Sequence, residues 1–184
     1  MGSIISYFFG ADETDEIDPG TGLTAKQRNL IMKCWSELQP NIREIGVEIM
    51  ITFFRNYPEY QEEFPKFRGR ELEELANDRT FHAHCLNIMS TFEQAIEFLH
   101  DPELCVAALH MAGERHARRG QTTRPFEVLE PLVNEILKSH LNISGTTETS
   151  EALDIALALI FKELKHAIEE HDRSETNDST KSRS

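Results

Sequence analysis

The sequence lacks several features that whole classes of protein require. It has no run of about 20 apolar residues, which a membrane-spanning helix needs. The apolar stretch at residues 4–9 is short and no basic residue precedes it, so we expect no signal peptide. The three cysteines, Cys34, Cys85 and Cys105, are widely spaced and form no Cys-x-x-Cys pair, which predicts buried free thiols in a reducing cytoplasm.

Basic residues are also scarce. The chain has 19 Lys and Arg against 32 Asp and Glu, which gives a net charge of −13. Because phosphate groups are bound by Lys and Arg, this charge disfavours nucleic acid as a partner and opposes anionic membrane surfaces. The chain is nevertheless 39% hydrophobic, with 11 Phe, and its 184 residues are enough for one domain with a sizeable core.

The chain divides into three parts by composition. Residues 1–22 are acidic and rich in Gly, and we expect an N-terminal extension that contributes little to the core. Residues 173–184 contain no apolar residue and predict a disordered polar tail. Residues 23–172 show apolar residues at spacings of three and four, without convincing strand alternation. This middle part is therefore predicted to be one all-α domain.

Caps and prolines mark where the helices begin and end. Thr24 and Gln27 form a capping-box pair, Asp101 precedes a first-turn proline, and Ser150 is the expected cap of the last helix. Residues 68–74 are mostly polar and are expected to connect two helices. Pro131 is an expected kink, since proline removes a helical hydrogen bond. The predicted helices cover about 25–38, 42–57, 58–64, 78–99, 102–116, 125–137 and 150–168.

Two histidines border the apolar faces of separate helices. His84 lies one turn before Ile88, and His116 lies one turn after Ala112. Taken singly, a histidine in such a place is more often a packed or surface residue than a ligand. Two of them that close on one pocket from separate helices could hold iron in a porphyrin, because a neutral imidazole is a suitable axial ligand.

The segment Phe53–Phe67, FFRNYPEYQEEFPKF, resembles the second and third helices of globins and the corner that follows them. The resemblance covers about residues 23–171 and includes Trp35 in the first helix. It implies a globin fold of about eight helices around haem b. It also implies that the Phe64 ring stacks on the haem and that Phe67 packs behind it, although core packing alone explains these two residues equally well.

When the globin pattern is continued along the chain, the resemblance implies that His116 is the proximal iron ligand, with Ala112 one turn before it. His84 takes the distal position, with Ile88 over the haem. The offset between the two histidines, 116 minus 84, is 32 residues, which is similar to that of neuroglobin-like globins. His84 is then either a hydrogen-bond donor to a gaseous ligand or itself a sixth iron ligand, as in neuroglobin-like and globin X-like members.

Three further residues resemble haem-contacting positions. Met50 matches the second-helix residue that overhangs the distal pocket, and it offers no hydroxyl. Lys66 and Arg115 match positions from which a cation reaches a haem propionate, although surface placement explains both equally well. We expect solvated or outward-facing side chains at the other histidines: His82, His100, His110, His140, His166 and His171.

These expectations leave three functions open. The first is reversible oxygen binding for storage, transport or sensing. The second is a six-coordinate bis-histidine centre for electron transfer, redox signalling or chemistry on nitric oxide or nitrite, with a reductase or electron-transfer partner. The third, a globin fold without haem, ranks last because the iron-binding residues are intact. No catalytic residue set is predicted, and we do not expect an enzyme.

The amino terminus matches the N-myristoylation pattern. Gly2 follows Met1, and Ser6 stands where that pattern prefers a hydroxyl. Globin X-like members and some nematode globins carry acylated amino termini, which adds to this expectation. One myristoyl chain gives only weak, reversible membrane binding. We therefore expect a cytoplasmic protein with weak peripheral association at the inner face of the plasma membrane.

Overall fold

The computed structural model describes residues 16–181, with side chains through residue 175, and this part of the chain contains helices and no β-sheet. None of the described helices is long and apolar enough to cross a membrane. The all-α prediction is confirmed. The α-helices are α1 (Ala25–Leu38), α2 (Ile42–Asn56), α3 (Pro58–Gln61), α4 (Leu72–Leu75), α5 (Arg79–Glu97), α6 (Pro102–Ala117), α7 (Arg124–His140) and α8 (Glu148–Lys181), with 3₁₀ turns at Gln39–Asn41 and Phe98–His100.

Local sequence signals set most helix starts. The capping box at α1 is present, because the Thr24 hydroxyl accepts from the Gln27 backbone N–H and the Gln27 side chain accepts from the Thr24 backbone N–H. The Asp101 side chain accepts from the Leu104 backbone N–H in the same way at the start of α6. These contacts satisfy N–H groups that have no partner inside the helix.

Three differences from the predicted helices exceed a shift of one helical turn or change a cap. α8 begins at Glu148, and Thr147 caps it by accepting from the Ser150 backbone N–H, so the prediction of Ser150 as the cap was wrong. The four-residue helix α4 lies in the predicted polar connection, and it is too short to show a helical period. α8 also continues through Lys181, into the segment predicted as a polar tail, while residues 182–184 lie outside the described part.

Two long helices organise the core. α8 packs against α1, α6 and α7, while α5 packs against α1, α2 and α6. Large apolar side chains fill the space between them, and Phe54, Phe81 and Phe161 are each almost fully buried. Cys85 and Cys105 are free and buried, as predicted, whereas Cys34 is half-buried.

The described end of the N-terminal extension folds back onto the domain. The Asp18 carboxylate accepts from the backbone N–H groups of Gly20 and Thr21, at 2.8 and 3.1 Å. Thr21 is only 3% exposed. A Cβ atom at Gly20 would lie 2.6 Å from Cβ of Pro102 at the start of α6. The turn at residues 18–21 therefore packs tightly against the domain. The extension was expected to contribute little to the core, but its described end makes close contacts there.

Two glycines let helices cross closely. A Cβ atom at Gly113 in α6 would lie 2.6 Å from the backbone oxygen of Leu164 and 2.7 Å from Cβ of Ala167, both in α8. A Cβ atom at Gly46 in α2 would lie 2.8 Å from Cγ of Met89 in α5. At the first crossing the closest atom belongs to the backbone, whereas at Gly46 the closest atom belongs to the flexible Met89 side chain and the nearest backbone atom, the Cys85 oxygen, lies farther away at 3.2 Å. The α6–α8 crossing is therefore the stricter requirement for glycine.

We expect Gly113→Ala to lower the free energy of unfolding by about 1–3 kcal/mol, as overpacking in a core does. Gly46→Ala is the matched control and should cost less, because Met89 can change rotamer. Equilibrium unfolding in urea measures both. An unchanged or higher stability of Gly113→Ala would contradict the close crossing.

Candidate functional site

Aromatic rings surround His84 on α5. The Phe64 ring meets the His84 imidazole edge-on at a centroid distance of 5.3 Å, and the Phe67 ring lies 5.5 Å away. Phe54 and Phe81 pack behind them, at 5.1 Å from Phe64 and Phe67 respectively. Proline at the start of α3 and the turn after it bring this segment of Phe residues onto α5. The structure therefore brings Phe64 and Phe67 against His84, and the stacking of Phe64 on a haem stays a prediction.

The His84 imidazole has an unused nitrogen in apolar surroundings. Among the residues that the structure describes, none offers a hydrogen-bond partner to the buried Nε2 atom. Burial lowers the pKa of His84 below its ordinary value, and the nearby charge of a protonated His116 lowers it further. The side chain is therefore a neutral imidazole with a nitrogen available to a ligand.

His116 lies in the last turn of α6 with one ring nitrogen engaged. Its Nδ1–H donates to Oε1 of Gln121, in the loop after the helix, and its ring meets Phe126 of α7 edge-on at 5.1 Å. Because a carbonyl oxygen only accepts, this hydrogen bond leaves the Nε2 lone pair free. Burial lowers the pKa of His116 and outweighs the opposite effect of Gln121, while Arg119 and Arg115 lower it too.

Cationic side chains lie around the two imidazoles. Lys66 and Arg115 are exposed, as their surface positions allow, and their charges lower the pKa of His84 and His116 respectively. The charge of Arg119 lowers the pKa of both histidines. This effect of Arg119 was not predicted, because the loop after α6 carries no periodic pattern that would indicate where its side chains lie.

The other predicted pocket residues occupy the expected helices. Met50 is 2% exposed and lies one turn after Gly46, on the part of α2 that crosses α5. Ile88 is half-buried against the core, one turn after His84. Ala112 is buried one turn before His116. Gly2 lies outside the described residues, so its acylation stays a prediction.

Each of the two imidazoles is in a form that can bind a metal. Each has a lowered pKa that favours the neutral form, which is the form that binds a metal. His84 presents a buried nitrogen without a partner, and Gln121 holds His116 in the tautomer that leaves Nε2 free. Gln121 acts like the outer partner that orients a metal-binding histidine in many proteins. This role of Gln121 could not be predicted from the sequence, since it depends on the path of the loop.

Gln121→Leu should remove the acceptor that holds the His116 tautomer. We expect nitrogen-detected NMR of the haem-free protein to show His116 protonated on Nδ1 in the original chain and a mixture of tautomers in the variant. Gln121→Glu, which keeps an acceptor oxygen, should retain the single tautomer. An unchanged tautomer in Gln121→Leu would contradict the role of Gln121.

Comparisons with known proteins agree with this geometry. A family model described as Globin matches residues 47–164. Globin CTT-VI of Chironomus thummi thummi is 30% identical over 144 residues, which cover 76% of this chain and 86% of that protein. Cytoglobin-2 of Danio rerio is 26% identical over 152 residues, which cover 82% and 85% of the two chains.

A solved structure shares the fold. The crystal structure of a hexacoordinated heme protein from an anhydrobiotic tardigrade superimposes with a TM-score of 0.76 at 22% identity, covering 83% of this chain and 99% of that one. The globin resemblance of the sequence is thus confirmed by the family match, by a relative at 30% identity and by the fold. The chain belongs to the globin family.

Proposed function

We propose that this globin binds haem b between α5 and α6, with His116 Nε2 as the proximal iron ligand. The observation that carries the proposal is a pair of neutral imidazoles on these two helices, one with a buried nitrogen that lacks a partner among the described residues and one oriented by Gln121. Buried polar atoms without a partner are costly in a folded protein. A metal, or a ligand bound to that metal, would give the His84 nitrogen a partner and remove that cost.

The surrounding residues fit the other parts of a haem. Phe64 and Phe67 offer an apolar wall beside His84, and Ile88 and Met50 extend it along α5 and α2. Lys66, Arg115 and the newly identified Arg119 supply positive charge near the imidazoles. Haem combines an apolar ring with two propionates, so an apolar pocket with cations near it suits both halves.

Bound haem iron would supply a centre for reversible binding of oxygen or another small gaseous ligand. In this function His116 holds the haem, Gln121 fixes the direction of the proximal ring, and His84 Nε2 faces the distal side as a hydrogen-bond donor. The aromatic rings exclude water from the distal side, and Met50 adds no competing hydroxyl.

The second candidate function is redox work by a six-coordinate centre. It is favoured by the same His84 nitrogen, because an imidazole with no partner on the distal side can itself become the sixth ligand. The tardigrade protein whose fold is similar is titled a hexacoordinated heme protein. In this function His84 competes with gaseous ligands, and electron exchange replaces oxygen carriage.

Replacing His116 by Ala should weaken haem binding. We expect haem to leave the variant at least about tenfold faster, because a lost coordination bond is worth more than the roughly 1.4 kcal/mol that a tenfold change requires. Transfer to an excess of a haem-acceptor protein, followed in the Soret band, measures the rate. His140→Ala, at a surface imidazole that contacts Glu48, is the matched control. Equal haem retention in His116→Ala, or no Soret band in the original chain, would overturn the proposal.

A His84→Val variant should separate the two functions. If His84 is the sixth ligand, the deoxygenated ferrous protein shows sharp, resolved visible bands that His84→Val broadens into a five-coordinate spectrum. If His84 is only a donor to oxygen, that spectrum is five-coordinate in both proteins, and the variant instead loses oxygen faster. Absorption spectra and oxygen dissociation rates distinguish the outcomes.

A further inference from the structure

A second group of histidines and carboxylates lies where α6 packs on α8. His110 of α6 and His166 of α8 have ring centroids 5.5 Å apart. His166 Nε2 lies 3.6 Å from Oε1 of Glu170, and one ligand atom from each of these three residues lies within 4.8 Å of the others. The sequence predicts only solvated or outward-facing side chains at His110 and His166.

The spacing along α8 explains the convergence. Glu163, His166 and Glu170 are separated by three and four residues, which places them on one face of the helix. α6 crosses α8 closely at Gly113, one turn beyond His110, so His110 is brought to that face. Two imidazoles and a carboxylate therefore meet at the surface of the domain, partly accessible to solvent.

Glu163 holds His110 from the buried side. Its Oε2 lies 3.1 Å from Nε2 of His110, and its side chain is only 11% exposed. Lys162 Nζ lies 3.1 Å from the other carboxylate oxygen, Oε1, so both oxygens of Glu163 have a partner. A carboxylate that accepts from one imidazole nitrogen orients the ring and leaves the other nitrogen, Nδ1, for a metal.

We infer that His110, His166 and Glu170 form a binding site for a divalent transition-metal cation, with Zn²⁺ as the best match, and that Glu163 positions His110 in it. Two imidazoles and a carboxylate are a donor set that zinc accepts, with a fourth place for water. Ligands about 2.0–2.1 Å from a tetrahedral ion are about 3.3 Å apart, so small side-chain rotations close the present spacing.

The zinc site is separate from the proposed haem site. His110 is six residues before His116 and faces α8, whereas His116 faces Phe126 of α7 and the Gln121 loop. The zinc proposal therefore does not depend on haem, and its failure would leave the proposed function intact. A bound ion would link α6 to α8 and stabilise the folded chain by an amount set by the ion concentration.

Calorimetric titration of the haem-loaded full-length chain with Zn²⁺, after removal of metals by a chelator, tests the site. We expect one Zn²⁺ per chain. His166→Ala and Glu170→Gln should each weaken binding at least about tenfold, and Glu163→Gln by about tenfold to a hundredfold, the range for outer partners of metal ligands. His140→Ala should bind Zn²⁺ like the original chain, because its imidazole contacts only Glu48 among the interactions described.

Three more measurements keep the test decisive. Far-UV circular dichroism and the Soret band should be unchanged in each variant, and Glu170→Gln, at an exposed position, serves if His166→Ala fails to fold. X-ray absorption at the zinc edge should show two imidazoles at about 2.0–2.1 Å. The proposal would be overturned by the absence of stoichiometric Zn²⁺ binding or by a spectrum with fewer than two imidazoles. It would also be overturned if the His166→Ala and Glu170→Gln variants bound Zn²⁺ as tightly as the original chain.

Discussion

The close crossing of α6 over α8 at Gly113 determines where the His110 and His116 side chains of α6 lie. At this crossing the α6 backbone comes so near to Leu164 and Ala167 that a single added carbon would overlap them. Such contact leaves a helix little freedom to rotate or slide, because packed interiors resist even small changes in volume. The face of α6 toward α8 therefore carries His110, while the end of the helix delivers His116 beside α7.

The proposed haem site depends on what desolvation does to an imidazole. Burial among Phe64 and Phe67 makes the charged form of His84 unfavourable and deprives Nε2 of water. Both effects prepare the same atom for a metal or for a ligand bound beside it. His116 reaches a similar state differently, because a side-chain amide satisfies one nitrogen and so selects the other.

Local features could be predicted from the sequence, and contacts between distant segments could not. The Thr24–Gln27 box and the proline starts of α3 and α6 are decided within one helical turn, so they were predicted correctly. The placement of His84 and Phe64 in one region of the molecule followed only from the globin register, and their direct ring contact was not predicted. Nothing local shows that His110 meets Glu163, which is 53 residues away, because that contact is created by the α6–α8 crossing. The contact between Gln121 and His116 was missed for a related reason, since a loop has no apolar periodicity that would indicate where its side chains lie.

The choice between oxygen binding and a six-coordinate centre is a question of how freely the His84 ring moves. Its edge-on contact with Phe64 and its contact with Phe67 tie the imidazole to rings that themselves pack on Phe54 and Phe81. Movement of His84 toward or away from an iron therefore requires the aromatic segment after α3 to follow. Because this segment lies on short helices and turns, whereas His84 lies within the 19-residue helix α5, the segment is the part that yields more easily. If His84 is a sixth iron ligand, as in the second candidate function, the packing of Phe64 and Phe67 would govern how readily a gaseous ligand replaces it.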